Sequence, residues 1–249
     1  MNFNQRAFTT ILVSILIGVL CFLSTGCHSA PVVAKPAAVQ IDIGKLLNDR
    51  VVFTQKNGRL QMAQHGLDRG TSSYLITKSA AEVSGAGKLN PLPDSGFFPA
   101  NDRHPDVQLA YGIAGGGPQV HRSPDMTETY SVPVPPNHYI QMQLFFISAN
   151  GPTPISITLY YADGASEQRA TIVPDFYFLP KPADKGWFVL TGDFGKVNAK
   201  GLMTESVHHY IHGFDLDPDP ARKLERIEIT KEKSGSVLNL FGVTGKLSA

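Results

Sequence analysis

Apolar and polar positions alternate through the middle of the chain. Ile140, Met142, Leu144 and Phe146 fall on one side of an extended segment, and Tyr139, Gln141, Gln143 and Phe145 fall on the other. A period of two predicts a strand with one buried face. Ile155, Ile157, Leu159 and Tyr161 repeat the pattern against Ser156, Thr158 and Tyr160, and it resumes from Gln168 to Val173. Between the last two runs stands Ala162-Asp163-Gly164-Ala165. An Asp-Gly pair tolerates the positive φ that a tight turn needs, so it predicts a hairpin.

Shorter pieces of the same kind flank this centre. Residues 51–53 predict a strand, the Lys56-Asn57-Gly58-Arg59 turn leads to Leu60 and Met62, and residues 74–77 predict another strand. Asp106 to Tyr111 alternates until the Gly115-Gly116-Gly117-Pro118 run breaks it. Residues 127–132 are rich in Thr, Tyr and Val, and Pro133, Pro135 and Pro136 predict a strand end or an edge, because proline donates nothing to a ladder. Residues 176–178, 187–190, 207–214, 224–230 and 237–244 complete the set. Helix competes only at residues 201–211, where Leu202, Ser206, Val207, Tyr210 and Ile211 fit one stripe. With turn formers between the runs, the pattern predicts an all-β, antiparallel two-sheet β-sandwich.

The N-terminus departs from this pattern. Arg6 precedes an apolar run at residues 11–22, about a dozen residues, the length of a signal-peptide core and short of the roughly 20 that span a bilayer. Leu23-Ser24-Thr25-Gly26-Cys27 resembles a bacterial lipobox, in which the cysteine is lipidated, although Ser24 stands where a large aliphatic residue is usual. An ordinary cut between Gly26 and Ala30 is the alternative. The expected organisation is a signal peptide with a lipobox-like end over 1–27, a Pro- and Ala-rich tether over 28–40, and a single β-sandwich domain over 41–249. Cys21 and Cys27 are the only cysteines, so the domain is expected to hold together by its core. The formal net charge of +1 includes Arg6, and a near-neutral body argues against nucleic acid as partner and leaves a lipid anchor at Cys27 as the expected route to a membrane.

Ile41-Asp42-Ile43 with Asn48-Asp49, Leu92-Pro93-Asp94-Ser95-Gly96-Phe97, Val132 to Tyr139, Leu159-Tyr160-Tyr161-Ala162-Asp163-Gly164, Val173-Pro174-Asp175-Phe176-Tyr177, and Asn239 to Thr244 follow one another along the chain. In that order they resemble galactose-binding-domain-like jelly rolls, the fold of many carbohydrate-binding modules. The resemblance spans most of the body through short motifs. It implies a jelly-roll sandwich whose end loops bind sugar or pack against a partner protein.

Reactive constellations are weaker. His208, His209, His212 and Asp215 are dense, but the H-E-x-x-H pattern fails at His209. On a strand, His208 and His212 stand about 13 Å apart, too far for one ion. Asp215, Asp217 and Asp219 begin like a calcium loop that Pro220 and Arg226 break. Neither Gly112 to Gly117 nor any serine carries a phosphate-loop or nucleophile motif. No metal centre or cofactor is expected, except that Asp42, Asn48 or Asp49 leave a structural calcium ion open.

Aromatic residues carry the remaining signal. Phe176, Tyr177, Phe178 and Trp187 lie in a proline-punctuated stretch. Sugars stack their C–H faces on such rings while their hydroxyls bond to nearby polar side chains, although a sandwich core also needs large rings. The candidate ligand-binding residues are Trp187, Tyr177 and Asp175, with Asp102, Arg103 and His104 as a second polar loop. The expected function is a non-catalytic, exported envelope protein, periplasmic or at the cell surface, that binds carbohydrate or acts as a scaffold. The alternatives are an extracytoplasmic glycan hydrolase with paired carboxylates and a purely structural protein-interaction domain.

Overall fold

The computed structural model describes residues 37–124 and 126–248. The leader, Cys27 and the first part of the tether lie outside the described residues. Strand β1 spans Ala38–Gln40, β2 Val52–Lys56, β3 Arg59–Gln61 and β4 Leu75–Ile76. Helix α1, Lys78–Ser84, is followed by β5 at Phe97–Phe98, β6 at Val107–Gln108 and β7 at His121–Ser123. The long strands come next: β8 Glu128–Ala149, β9 Thr153–Tyr161, β10 Ser166–Val173, β11 Trp187–Val197, β12 Met203–Leu216, β13 Lys223–Lys231 and β14 Val237–Leu247.

These strands make a sandwich of two antiparallel sheets that share β8. Its first half pairs with β13, which pairs with β9 and then β10, forming a front sheet. Its second half lies between β14 and β12, with β1 and β7 on β14 and β11 on β12, forming a central sheet. One apolar core fills the space between them, with Val132, Ile157 and Ile227 from the front sheet against Leu144, Phe146, Leu240 and Trp187 from the central one.

The prolines do not end the strand as expected. β8 runs through Pro133, Pro135 and Pro136, and the register with β13 shifts between Leu224 and Arg226, opposite these residues. The prolines fall where β8 leaves one sheet for the other and few ladder bonds are needed. A second shift, between Lys246 and Leu247, sets Gln141 and Tyr139 opposite consecutive residues of β14. That bulge reverses the expected facing: Tyr139 enters the core and Ile140 is exposed.

The Asp163-Gly164 hairpin joins β9 to β10, with Ser166 opposite Tyr160. Tyr161 O accepts Gly164 N–H at 2.9 Å and Ala165 O accepts Tyr161 N–H at 3.0 Å. Only Gly164 takes positive φ, at 85°, so the turn closes through one left-handed glycine. Where helix competed, residues 203–211 are strand, part of β12, and Gly201 and Leu202 lie just before it.

The central sheet is covered on its other face as well. Val52, Leu75, Leu92, Leu109 and Tyr111, all between residues 44 and 120, pack on Phe145, Ile147, Phe188 and Phe241 in a second core. This cover contains α1, capped by Gly85 at φ 68°, and a parallel pairing of β2 with β4. It explains why residues 142–149 are buried without interruption. The sheet also reaches into the expected tether: β1 pairs with β14, and Gln40 Oε1 accepts Thr244 Oγ1–H at 2.9 Å.

Candidate functional site

The six candidate residues do not form one site. Trp187 opens β11 and Lys196 lies near its other end, where Tyr177 is bound; the separation along the strand is roughly 25 to 30 Å. Trp187 is 7% exposed, its ring packed 4.6 Å from that of Phe214. It therefore presents no open face for stacking. Its Nε1–H donates to Thr171 Oγ1 on β10 at 3.0 Å, tying the edge strands of the two sheets together. Trp187 begins the strand expected over 187–190 and pairs with Phe214, and this pairing places its ring in the core.

Asp175 is also structural. Its Oδ2 accepts Gly151 N–H at 2.6 Å and its Oδ1 accepts Tyr177 N–H at 3.0 Å. The next residue wedges between strands: Ser148 O accepts Phe176 N–H at 2.8 Å, and Phe176 O accepts Tyr210 N–H at 2.9 Å. Phe176 thereby carries Tyr177 onto β11 and β12.

At that end two bulges bring a charged group together. Asp193 on β11 and His208 on β12 take φ of 55° and 82°, a conformation that costs non-glycine residues energy and that the surrounding bonds must hold. Asn90 supplies some of them, donating N–H to Ser206 O at 3.0 Å and Nδ2–H to Asp193 O at 2.8 Å. Lys196 Nζ then lies 2.8 Å from Glu205 Oε1 and bonds to the Tyr177 hydroxyl, which itself donates to Glu205 at 3.0 Å. Burial alone would lower the lysine, yet its bonds to Glu205 and Tyr177 hold it above its ordinary pKa. Burial would likewise raise Glu205, and the same partners pull it below the usual carboxylate range.

His209 and His212, first weighed as metal ligands, are buried in β12. His209 stacks 4.9 Å from Phe176 and donates Nδ1–H to Phe194 O at 2.8 Å. Desolvation lowers its pKa. His212 donates Nε2–H to Phe178 O at 2.9 Å, its Nδ1 has no hydrogen-bond partner among the described residues, and burial pushes its pKa down to about 4. Among the described residues no three His, Cys, Asp or Glu side chains are grouped to hold a metal ion. Asp42 Oδ1 accepts Gly44 N–H, Asn48 Oδ1 accepts Arg122 N–H, and both Asp49 oxygens lie within hydrogen-bond distance of His65 Nδ1.

Arg103 leads to a different place. In its loop Asn101 Oδ1 accepts the N–H groups of Arg103 and His104 at 2.8 and 3.0 Å, leaving Asp102 exposed. His104 is buried, stacked on Phe188, with Nδ1–H donated to Pro105 O at 2.7 Å. Arg103 reaches outward instead. Its guanidinium lies 4.5 Å over the Phe188 ring and its Nη2 contacts Asp215 Oδ2 at 2.5 Å, while Gln143 Nε2–H donates to Asp215 Oδ1 at 2.8 Å.

These residues wall a cleft of about 500 Å³ lined by Arg103, Arg169, Thr171, Lys185, Asp215 and Asp217. It opens at the sandwich rim where β11 begins, with Asp215 N–H donating to Gly186 O at 2.9 Å. Gly186 is required there: its φ is 84°, and a Cβ would stand 3.0 Å from the Phe214 ring. Residues 167, 169 and 171 of β10 are half-buried and face inward, and being Glu, Arg and Thr they make the mouth of the sandwich polar where its centre is apolar. Arg169 Nη2–H donates to Asp217 O at 2.8 Å. Cleft size and mixed donors and acceptors suit a small polar ligand. The sequence reading found Arg103 and missed Arg169 and Lys185; the alternation of β10 was the signal, since it puts Arg169 on the face of Val173. No protein-family model matches this chain, and no curated protein matches it.

Proposed function

We propose that the protein is a non-catalytic exported binding domain of the galactose-binding-like jelly-roll kind, which takes carbohydrate in the cleft at its rim. Cys27 is its proposed lipid anchor, and the cell envelope its proposed location. One observation carries the reading: side chains from β10, β12 and the loops at 101–104 and 181–186 converge on a cleft rich in paired donors and acceptors. A sugar hydroxyl both donates and accepts, so fixed Arg, Asp and Thr side chains recognise it where a purely apolar pocket would not. The β-sandwich architecture supports the fold assignment.

Two carboxylates in one cleft, Asp215 and Asp217, bear on the hydrolase alternative. Both Asp215 oxygens are already taken by Arg103 and Gln143, an arrangement for holding shape rather than for moving a proton to a leaving group. Affinity electrophoresis on a panel of polysaccharide gels tests the proposal. Retardation of the wild-type protein, reduced at least tenfold in Arg103→Ala and without release of reducing ends, is expected. No retardation on any polysaccharide would overturn it in favour of the scaffold reading, and release of reducing ends in favour of the hydrolase.

A further inference from the structure

The cleft holds more positive charge than its own carboxylates use. Arg103 and Asp215 satisfy each other at 2.5 Å, Gln143 completes the carboxylate, and Phe188 supports the guanidinium. This pair is a fixed wall. Arg169 is held differently: its Nη2–H goes to the main-chain oxygen of Asp217 at 2.8 Å, and its nearest carboxylate, Glu167, stands 3.7 Å away. The other Glu167 oxygen accepts the Tyr161 hydroxyl at 3.0 Å. The guanidinium is therefore oriented by a neutral carbonyl, with the rest of its fork open to the cleft. Lys185 is exposed and lines the same cleft, held in the turn by its N–H to Ala183 O at 2.9 Å, and its ammonium has no hydrogen-bond or ion-pair partner among the described residues. Thr171 Oγ1 accepts the Trp187 indole, which leaves its hydroxyl hydrogen to donate.

Resting on the carbohydrate reading above, we infer that the cleft selects an acidic saccharide, whose carboxylate or sulfate sits between Arg169 and Lys185 while its hydroxyls meet Thr171 and Asp217. A guanidinium fork pre-oriented by a backbone carbonyl matches the two oxygens of such a group, and a flexible ammonium beside it adds charge without demanding geometry. A neutral sugar would leave the Lys185 ammonium without an anionic partner among the described residues and Arg169 with Glu167 alone, 3.7 Å away.

The full chain is run by affinity electrophoresis in gels containing polygalacturonate or its methyl ester, and dextran sulfate or dextran, so that within each pair only the charge differs. Stronger retardation by the acidic member of at least one pair is expected, by tenfold or more and weakening about tenfold between 0.05 and 0.5 M salt; the pair that shows it names carboxylate or sulfate. Arg169→Gln/Lys185→Gln is expected to lose that preference, whereas the charge-matched Lys88→Gln/Lys200→Gln keeps it and both melt like wild type. Equal retardation by acidic and neutral members, or equal losses in the two double variants, overturns this inference and leaves the carbohydrate reading standing. No retardation on any polymer overturns both.

Discussion

In the front sheet, β9 and β13 alternate between a core residue and a solvent-facing one, whereas β14 and the second half of β8 in the central sheet are buried at nearly every position. The strands are equally regular. They differ in what lies on the far face: water on the front sheet, and on the central sheet a cover that brings Val52, Leu75 and Leu109 against Phe145 and Phe241. A position pointing away from the shared core is thus a surface position in one sheet and a core position in the other. Facing decides burial in the front sheet, and in the central sheet the added layer overrides it.

The largest test of that difference is a matched pair of outward-facing substitutions. Phe145→Ala is expected to cost about 3 to 5 kcal/mol, the price of a buried ring, and Thr158→Ala, half-buried on the outer face of β9, less than about 0.5 kcal/mol. Denaturant midpoints measure both, and similar values would erase the distinction between the sheets.

Acid should separate the sheets next. His212 titrates near pH 4 in the folded protein and near its ordinary 6.5 in the unfolded chain, so below pH 6.5 the unfolded chain takes up a proton that the folded one refuses. Stability contributed by this group is complete above pH 6.5 and falls by about 3 kcal/mol as the pH drops to 4. The depressed His209 adds in the same direction. Emission from the single, buried Trp187 reports the loss, and hydrogen exchange is expected to show β11 and β12 opening before β9 and β13. His212→Gln should flatten the profile.

A smaller effect tests the tie between the sheets. Trp187→Phe removes the indole bond to Thr171 and is expected to cost about 1 to 2 kcal/mol, with Thr171→Val costing nearly as much and the two losses failing to add in a double-mutant cycle. The smallest is Gly164→Ala in the front-sheet hairpin. A Cβ there meets nothing within 4 Å, so only the positive φ is charged, about 1 kcal/mol in thermal or chemical unfolding.

Legibility followed the same division. The β9–β10 hairpin, the Asn57-Gly58 turn and the strand runs from 224 to 244 were readable because period and turn chemistry are local. Ile140 was misassigned because a bulge is set by the partner strand, β14. The run through Pro133 to Pro136 was cut short because only a change of sheet makes those prolines tolerable inside a strand. Within the cleft Arg103 was legible as a polar loop residue, while nothing local singled out Arg169 or Lys185; their convergence joins β10 to the turn before β11 and leaves no mark in either segment. Trp187 carried the opposite error, a core residue that its proline neighbours made look exposed.

The sequence by itself determined that this is an antiparallel β protein and where several of its turns fall, since alternation and glycine chemistry act over a few residues. The tertiary structure alone decided that β8 serves two sheets, that a third layer buries the central one, and that Arg103, Arg169 and Lys185 share a cleft. Each of those depends on contacts between residues far apart along the chain, whose strength is set by what they exclude from water once the layers close.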